Sequence, residues 1–280
     1  MAILLAVSAH LVQQQPSFST RTESVRVDVL VTEGGRIVRG LGPADFEIRD
    51  EGVAQTVDLV SFEQLPIHVI LALDLSYSVS GERLRDLRGA SHALLDALRR
   101  DDRASLLTFN HAVSRRSTPT SDVGPLRTVL DALEPEDVES AGSTALADAA
   151  YAALVSGEKE GGRSLALIFS DGVDTGSWLS SSRVLDVARR TGVVVYGVSV
   201  RGSGGSFLSD LTEATGGSAI EAESTRNLRA VFIRVLEEFR SRYLVSFSPK
   251  GATKPGWHRL EVRIKGRRVN VKARPGYMAN

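Results

Sequence analysis

Five residues in a row, Asp74-Leu75-Ser76-Tyr77-Ser78, place one carboxylate and two hydroxyls at alternate positions. They follow an apolar run, His68-Val69-Ile70-Leu71-Ala72-Leu73, that reads as a buried strand. A chain leaving a strand extended points residues i, i+2 and i+4 the same way, so Asp74, Ser76 and Ser78 can converge on one point. Hard oxygen donors converging in this manner suit Mg²⁺ or Mn²⁺. Taken alone the pattern is common in loops, where serines cap helices and aspartates make turns. Two further segments carry oxygen donors after or before apolar elements. Gly142-Ser143-Thr144 precedes an apolar-periodic helix, and Ser170-Asp171-Gly172-Val173-Asp174 follows the apolar strand Leu165-Ala166-Leu167-Ile168-Phe169.

In that order, Asp-x-Ser-x-Ser, then a loop threonine, then strand-Asp-Gly, the chain resembles the metal-ion-dependent adhesion site (MIDAS) of von Willebrand factor A (VWA) domains, over roughly residues 66–240. The resemblance implies a doubly wound, mostly parallel, Rossmann-like α/β sheet with helices on both faces and ligands at the carboxyl ends of the strands. It implies that Ser76 and Ser78 contact a divalent cation directly and that Thr144 does so directly or through water. Asp74 and Asp171 then act as outer carboxylates that accept hydrogen bonds from waters and hydroxyls. Mg²⁺ or Mn²⁺ is expected ahead of Ca²⁺. With few anionic ligands the cation stays electrophilic, and an Asp or Glu carboxylate of a protein partner completes its octahedron. Tyr77, where many members carry a small residue, is expected to face away and to form part of the rim. Asp174 is read as a solvated loop acid, Asp148 as a helix-surface acid.

The elements that must hold these residues are legible from periodicity. From residue 67 onward strands and helices alternate: strands over 103–109, 164–169 and 193–200, and helices over 80–100, 123–133, 144–155, 180–191, 207–214 and 225–240. The helix over 80–100 carries Leu84, Leu87, Ser91, Leu94 and Leu98 on one stripe, and Thr144 can serve as the N-cap of the helix it opens. The two ends of the chain read differently. Val25, Val27, Val29 and Val31 alternate, as do Tyr243, Val245 and Phe247, and Leu260, Val262 and Ile264. Neither end is long enough to bury a sheet face alone. The expected organisation is therefore an all-β subdomain made from residues 23–65 and 241–280, with the VWA domain, 66–240, inserted between them. The segments Asp45-Phe46-Glu47-Ile48, Asp50-Glu51-Gly52 and Arg274-Pro275-Gly276-Tyr277 are similar to a bacterial "VWFA-related" group, mostly predicted to be exported.

Net charge is zero, with 34 Lys and Arg against 34 Asp and Glu, but it is unevenly spread. Residues 18–65 are acidic, and residues 240–280 hold Glu261 as their single acid. The basic residues alternate with apolar ones and lack stacking aromatics, so they are read as partners of the acidic segment and not as a nucleic-acid surface. With no cysteine, thiolate metal sites, cysteine nucleophiles and disulfides are excluded. The start of the chain, Met1 to Ala9, is apolar, too short to span a bilayer, and like the tail of a secretory signal peptide, so residues 1–22 are expected to be a signal-peptide remnant or disordered and the protein exported to the periplasm or beyond.

No Gly-x-Ser-x-Gly elbow and no phosphate-binding Gly-x-x-x-x-Gly-Lys-Ser/Thr loop occurs, and the five histidines have no metal-pair spacing. The expectation is a non-enzymatic, metal-dependent protein-binding module. The competing readings are a structural envelope component with a stabilising metal and a Mg²⁺-dependent hydrolase using the same oxygens.

Overall fold

The computed structural model describes residues 24–62, 65–134, 143–159, 162–170, 173–200, 205–251 and 254–279. Five strands come first: β1 (Val25–Glu33), β2 (Arg36–Ile37), β3 (Phe46–Asp50), β4 (Val53–Gln55) and β5 (Val57–Phe62). The alternating part follows: β6 (Ile67–Asp74), α1 (Glu82–Asp96), β7 (Arg103–Phe109), β8 (Val113–Arg115), α2 (Gly124–Asp131), α3 (Leu146–Lys159), β9 (Arg163–Phe169), α4 (Ser181–Ala188), β10 (Val194–Val200), α5 (Ser206–Thr215), β11 (Ser218–Ala222) and α6 (Leu228–Arg240). Four strands close the chain: β12 (Tyr243–Phe247), β13 (Gly256–Ile264), β14 (Asn270–Lys272) and β15 (Gly276–Ala279).

The alternating part builds a six-stranded sheet in the order β11-β10-β9-β6-β7-β8, parallel except for the antiparallel edge strand β8. Every residue of β6 and of β9 is buried. Their unbroken apolar runs are what a strand covered on both faces requires. Successive side chains feed opposite cores. Val69, Leu71 and Leu73 pack with α1, α2 and α6, whereas Ile70 and Ala72 pack with α3, α4 and α5. The α1 stripe of Leu84, Leu87, Ser91 and Leu94 is buried as its spacing predicts, and Ser91 donates its hydroxyl to the Leu87 carbonyl at 2.8 Å. The first, second, fourth and last helices are shorter than the periodicity suggests, while α3 and α5 run two residues longer. Glu82 and not Ser80 opens α1, because Gly81 takes a positive φ of 58° that ends the loop from the sheet. The fourth helix stops at Ala188, ahead of the expected Gly192.

Strands from the two chain ends pair with each other. β1 runs antiparallel to β12 and β14, and β12 to β5, giving the order β14-β1-β12-β5 with β2 on β1. A second antiparallel sheet runs β15-β13-β3-β4. Val27, Val29 and Val31, Phe46 and Ile48, Tyr243, Val245 and Phe247, and Leu260 and Ile264 share one core between the two sheets. The acidic and basic ends thus face each other, with Glu47 opposite Arg263 and Arg49 opposite Glu261 in the β3–β13 register. The short strands β4, β8 and β15 carry no readable alternation of their own and are set by the neighbours they pair with.

Two buried polar clusters tie these layers together. Arg163, at the start of β9, gives its guanidinium to the Asp28 carboxylate of β1 (2.8 and 2.6 Å) and to the carbonyls of Phe239 and Arg242 at the end of α6. Arg242, wholly buried, donates to the Tyr196 hydroxyl (2.9 Å), which in turn donates to Glu238 of α6 (2.9 Å). Burial, only partly opposed by Arg242, pushes the Tyr196 phenol far above its ordinary range. In the end strands, His258 sits between the Asp50 carboxylate (2.8 Å) and the Lys254 carbonyl (2.6 Å), and Tyr277 donates to the other Asp50 oxygen (2.7 Å).

Candidate metal centre

β6 ends at Asp74, whose side chain is fully buried. One of its oxygens, Oδ1, accepts the backbone N–H of Ser76 (2.8 Å), and Oδ2 accepts the Ser170 hydroxyl (2.7 Å). The carboxylate therefore clamps its own loop to the end of β9. Ser76 and Ser78 do come together: their hydroxyl oxygens lie 3.1 Å apart. They are not caps of α1, whose N-cap position is Gly81. Tyr77, between them, is 52% exposed.

Thr144 lies on the neighbouring loop. Backbone bonds lace the loops at this end of the sheet: Leu75 N–H donates to the Phe109 carbonyl (2.8 Å), and Ala145 N–H to the Asn110 carbonyl (2.6 Å). The segments carrying Ser76 and Thr144 are thus both bonded to the end of β7. Thr144 is buried, and its N–H donates to the Thr175 hydroxyl at 2.9 Å. It is not the cap of α3, which begins two residues later at Leu146. That role falls to Asp174. Its Oδ1 accepts the N–H groups of Leu146 (2.9 Å) and Ala147 (3.4 Å) and the Ser177 hydroxyl (2.6 Å). Reading Asp174 as a solvated loop acid is corrected on this point. Asp148 is likewise more than a surface acid, since its two oxygens accept the N–H groups of Trp178 and Leu179, each at 2.9 Å. These carboxylates satisfy orphan donors and sit favourably at the positive end of a helix dipole. Gly176 lets the 173–179 loop close onto Ser143, for a Cβ there would stand 2.7 Å from the Ser143 Cβ. Asp171 and Gly172 lie outside the described residues.

Sequence reasoning missed Ser170, Asn110, Thr175 and Ser177 as positioning residues. Ser170 carried a usable signal, being a hydroxyl at the first position after a buried strand. The other three act through partners distant in sequence and gave none.

The donor set fits a hard dication. Six-coordinate Mg²⁺, with bonds of about 2.0–2.1 Å, holds adjacent oxygens about 2.9 Å apart, whereas six-coordinate Ca²⁺ spreads them to about 3.3 Å or more. The Ser76–Ser78 separation of 3.1 Å falls between these two spacings.

A doubly wound sheet with oxygen-bearing loops at its carboxyl edge defines a class of ligand-binding α/β domains. Within it, the family model of the von Willebrand factor type A domain matches residues 68–233, and the chain belongs to that family. None of the curated proteins matches it. Among solved structures it is similar to proximal thread matrix protein 1 of the mussel byssus with a zinc-occupied MIDAS motif, at 15% identity and a TM-score of 0.57, covering 68% of this chain and 49% of that one. This chain therefore spans about half the length of the mussel protein. It is similar as well to an aerotolerance-related membrane protein of Bacteroides fragilis (16% identity, TM-score 0.51, 62% and 98% covered). A third likeness is to the vWF domain of the type V pili tip protein Mfa5 of Porphyromonas gingivalis (12% identity, TM-score 0.50, 62% and 94% covered). At these identities the likeness is one of fold. No helix among the described residues is long and apolar enough to cross a membrane.

Proposed function

We propose that the chain is a non-enzymatic binding module in which Asp74, Ser76, Ser78, Thr144 and Asp171 hold a divalent cation, Mg²⁺ or Mn²⁺, for recruitment of a partner protein. The observation that carries this reading is the pair of serine hydroxyls 3.1 Å apart, held by a buried carboxylate that is itself clamped by an amide and a hydroxyl. Ser76, Ser78 and Thr144 supply neutral oxygens. Asp74 orients them and offsets the cation's charge from the outer shell. When bound, the cation offers a coordination position to a partner's Asp or Glu carboxylate. Residues 23–65 and 241–280 form one β subdomain on which the 66–240 domain is mounted, a division supported by the core shared between the two chain ends. We assign the protein to the exported compartment on the apolar start of the chain, and cell fractionation tests this.

Calorimetric titration of the chain with Mg²⁺, Mn²⁺ and Zn²⁺ tests the site. Binding of one equivalent is expected, with loss of at least tenfold in affinity for Asp74→Ala, as for removal of an outer-shell partner. No heat with any of the three ions overturns the reading.

A further inference from the structure

The surface beside the candidate site is apolar in a way that the site itself does not require. Among the described residues eight large hydrophobic side chains are exposed, and four of them, Tyr77, Tyr151, Val173 and Trp178, lie on the loops of the candidate site or on α3 beside it. Trp178 is 94% exposed. An indole presents about 150–250 Å² of mostly apolar surface, and such rings are over-used where proteins meet. This one does not stand on a slack loop. Its backbone N–H and that of Leu179 are both held by Asp148, on the first turn of α3. Next to it, Leu179 turns toward a depression of about 350 Å³ between α3 and α4, lined by Tyr151, Arg183, Asp186 and Val187 as well. With its backbone held in this way, Trp178 presents its ring to solvent next to a small hollow, and one apolar side chain from outside can cover both.

Spacing narrows the occupant. Tyr151 stands five residues into α3 from Leu146, about 7.5 Å at the helical rise of about 1.5 Å per residue, and Thr144 lies two residues before the helix. An extended chain covers about 10 Å in three residues. We propose that the partner is an extended protein segment whose Asp or Glu reaches the candidate metal site while an aromatic or branched apolar side chain, two to four residues away, packs on Trp178 and enters the hollow beside Tyr151. The inference rests on the metal-dependent reading given above and adds to it a second anchor and a spacing. The carboxylate supplies the charge that a cation-bearing site selects, and the apolar side chain covers the surface that the free protein leaves wet.

The test is selection of a displayed library of random twelve-residue peptides on the full chain in Mg²⁺, with elution by EDTA. The expected consensus contains an Asp or Glu with an aromatic residue, Leu or Ile two to four positions away. A synthetic peptide of that consensus should bind Trp178→Ala about tenfold or more weakly, bind Trp178→Phe nearly as well as the parent, and leave Mg²⁺ affinity unchanged in both variants. Since Trp178 is almost wholly exposed, neither change endangers folding. Acidic peptides without the apolar residue, or equal affinity for Trp178→Ala, overturn the second anchor and leave the metal reading standing. Absence of any EDTA-eluted peptide together with absence of Mg²⁺ binding overturns both. Mg²⁺-dependent self-association abolished by Trp178→Ala assigns the surface to a second copy of the chain and overturns the peptide partner.

Discussion

At the scale of single residues, Asp74 is the pivot. A fully buried carboxylate survives at the end of β6 because its oxygens accept the Ser76 amide and the Ser170 hydroxyl. Asp74→Asn keeps the shape but turns an amide NH₂ toward one of those donors. It is expected to lower stability by about 1–3 kcal/mol and Mg²⁺ affinity by at least tenfold, read by urea unfolding and by calorimetry. Ser170→Ala removes one clamp only. Its expected effect is a loss of about 10–100-fold in metal affinity with nearly unchanged secondary structure by circular dichroism. The alternation of Asp74, Ser76 and Ser78 could be read from the chain because strand geometry acts over two residues. The pairing of Asp74 with Ser170 could not, since it joins positions 96 residues apart.

At the scale of elements, the N-terminus of α3 is where reading and structure part. An N-cap threonine is a sound local expectation, and Thr144 was placed to be one. The helix instead begins at Leu146 and takes its cap from Asp174, 28 residues away on the loop after β9. Thr144 is thereby left out of the helix, on a segment bonded to Thr175 and Asn110. Asp174→Ala should cost about 1 kcal/mol, the usual loss for a cap, and should weaken Mg²⁺ binding as well, because the same loop supports Thr144. A cap that mattered only to the helix would leave metal affinity unmoved. The last helix of the alternating part is tethered at its end: α6 passes through Arg242 straight into β12, and Arg163 grips the carbonyls of Phe239 and Arg242. Hydrogen exchange is expected to show little Mg²⁺-dependent opening of α6, and large opening would contradict the tether.

For the whole molecule, the joint between the sheet and the end strands depends on buried polar pairs. Arg163 and Asp28 are both under one-tenth exposed, so Arg163→Ala leaves a carboxylate without its ion pair. A cost of about 3–5 kcal/mol is expected from urea unfolding, and Arg163→Lys should restore only part of it, because a single ammonium cannot make the same fork of bonds. The end strands also carry a pH dependence. His258 faces an acceptor at each ring nitrogen, the Lys254 carbonyl and the Asp50 carboxylate, with Glu51 adding negative charge, and these raise its pKa above the ordinary value, the backbone carbonyl foremost. The stabilisation is complete below about pH 6.5 and is lost as pH rises through the folded pKa. Stability should therefore fall from pH 6 toward alkaline pH, and His258→Gln should flatten that slope. What the chain determined by itself was whatever short-range geometry dictates: buried strands from unbroken apolar runs, helices from their stripes, and a hydroxyl-rich motif at a strand end. Tertiary structure alone decided which loop caps α3, how the end strands divide into two sheets, and that Arg163 and Arg242 are buried. Those outcomes depend on contacts between residues far apart in sequence, whose energies balance only once the sheet has brought them together.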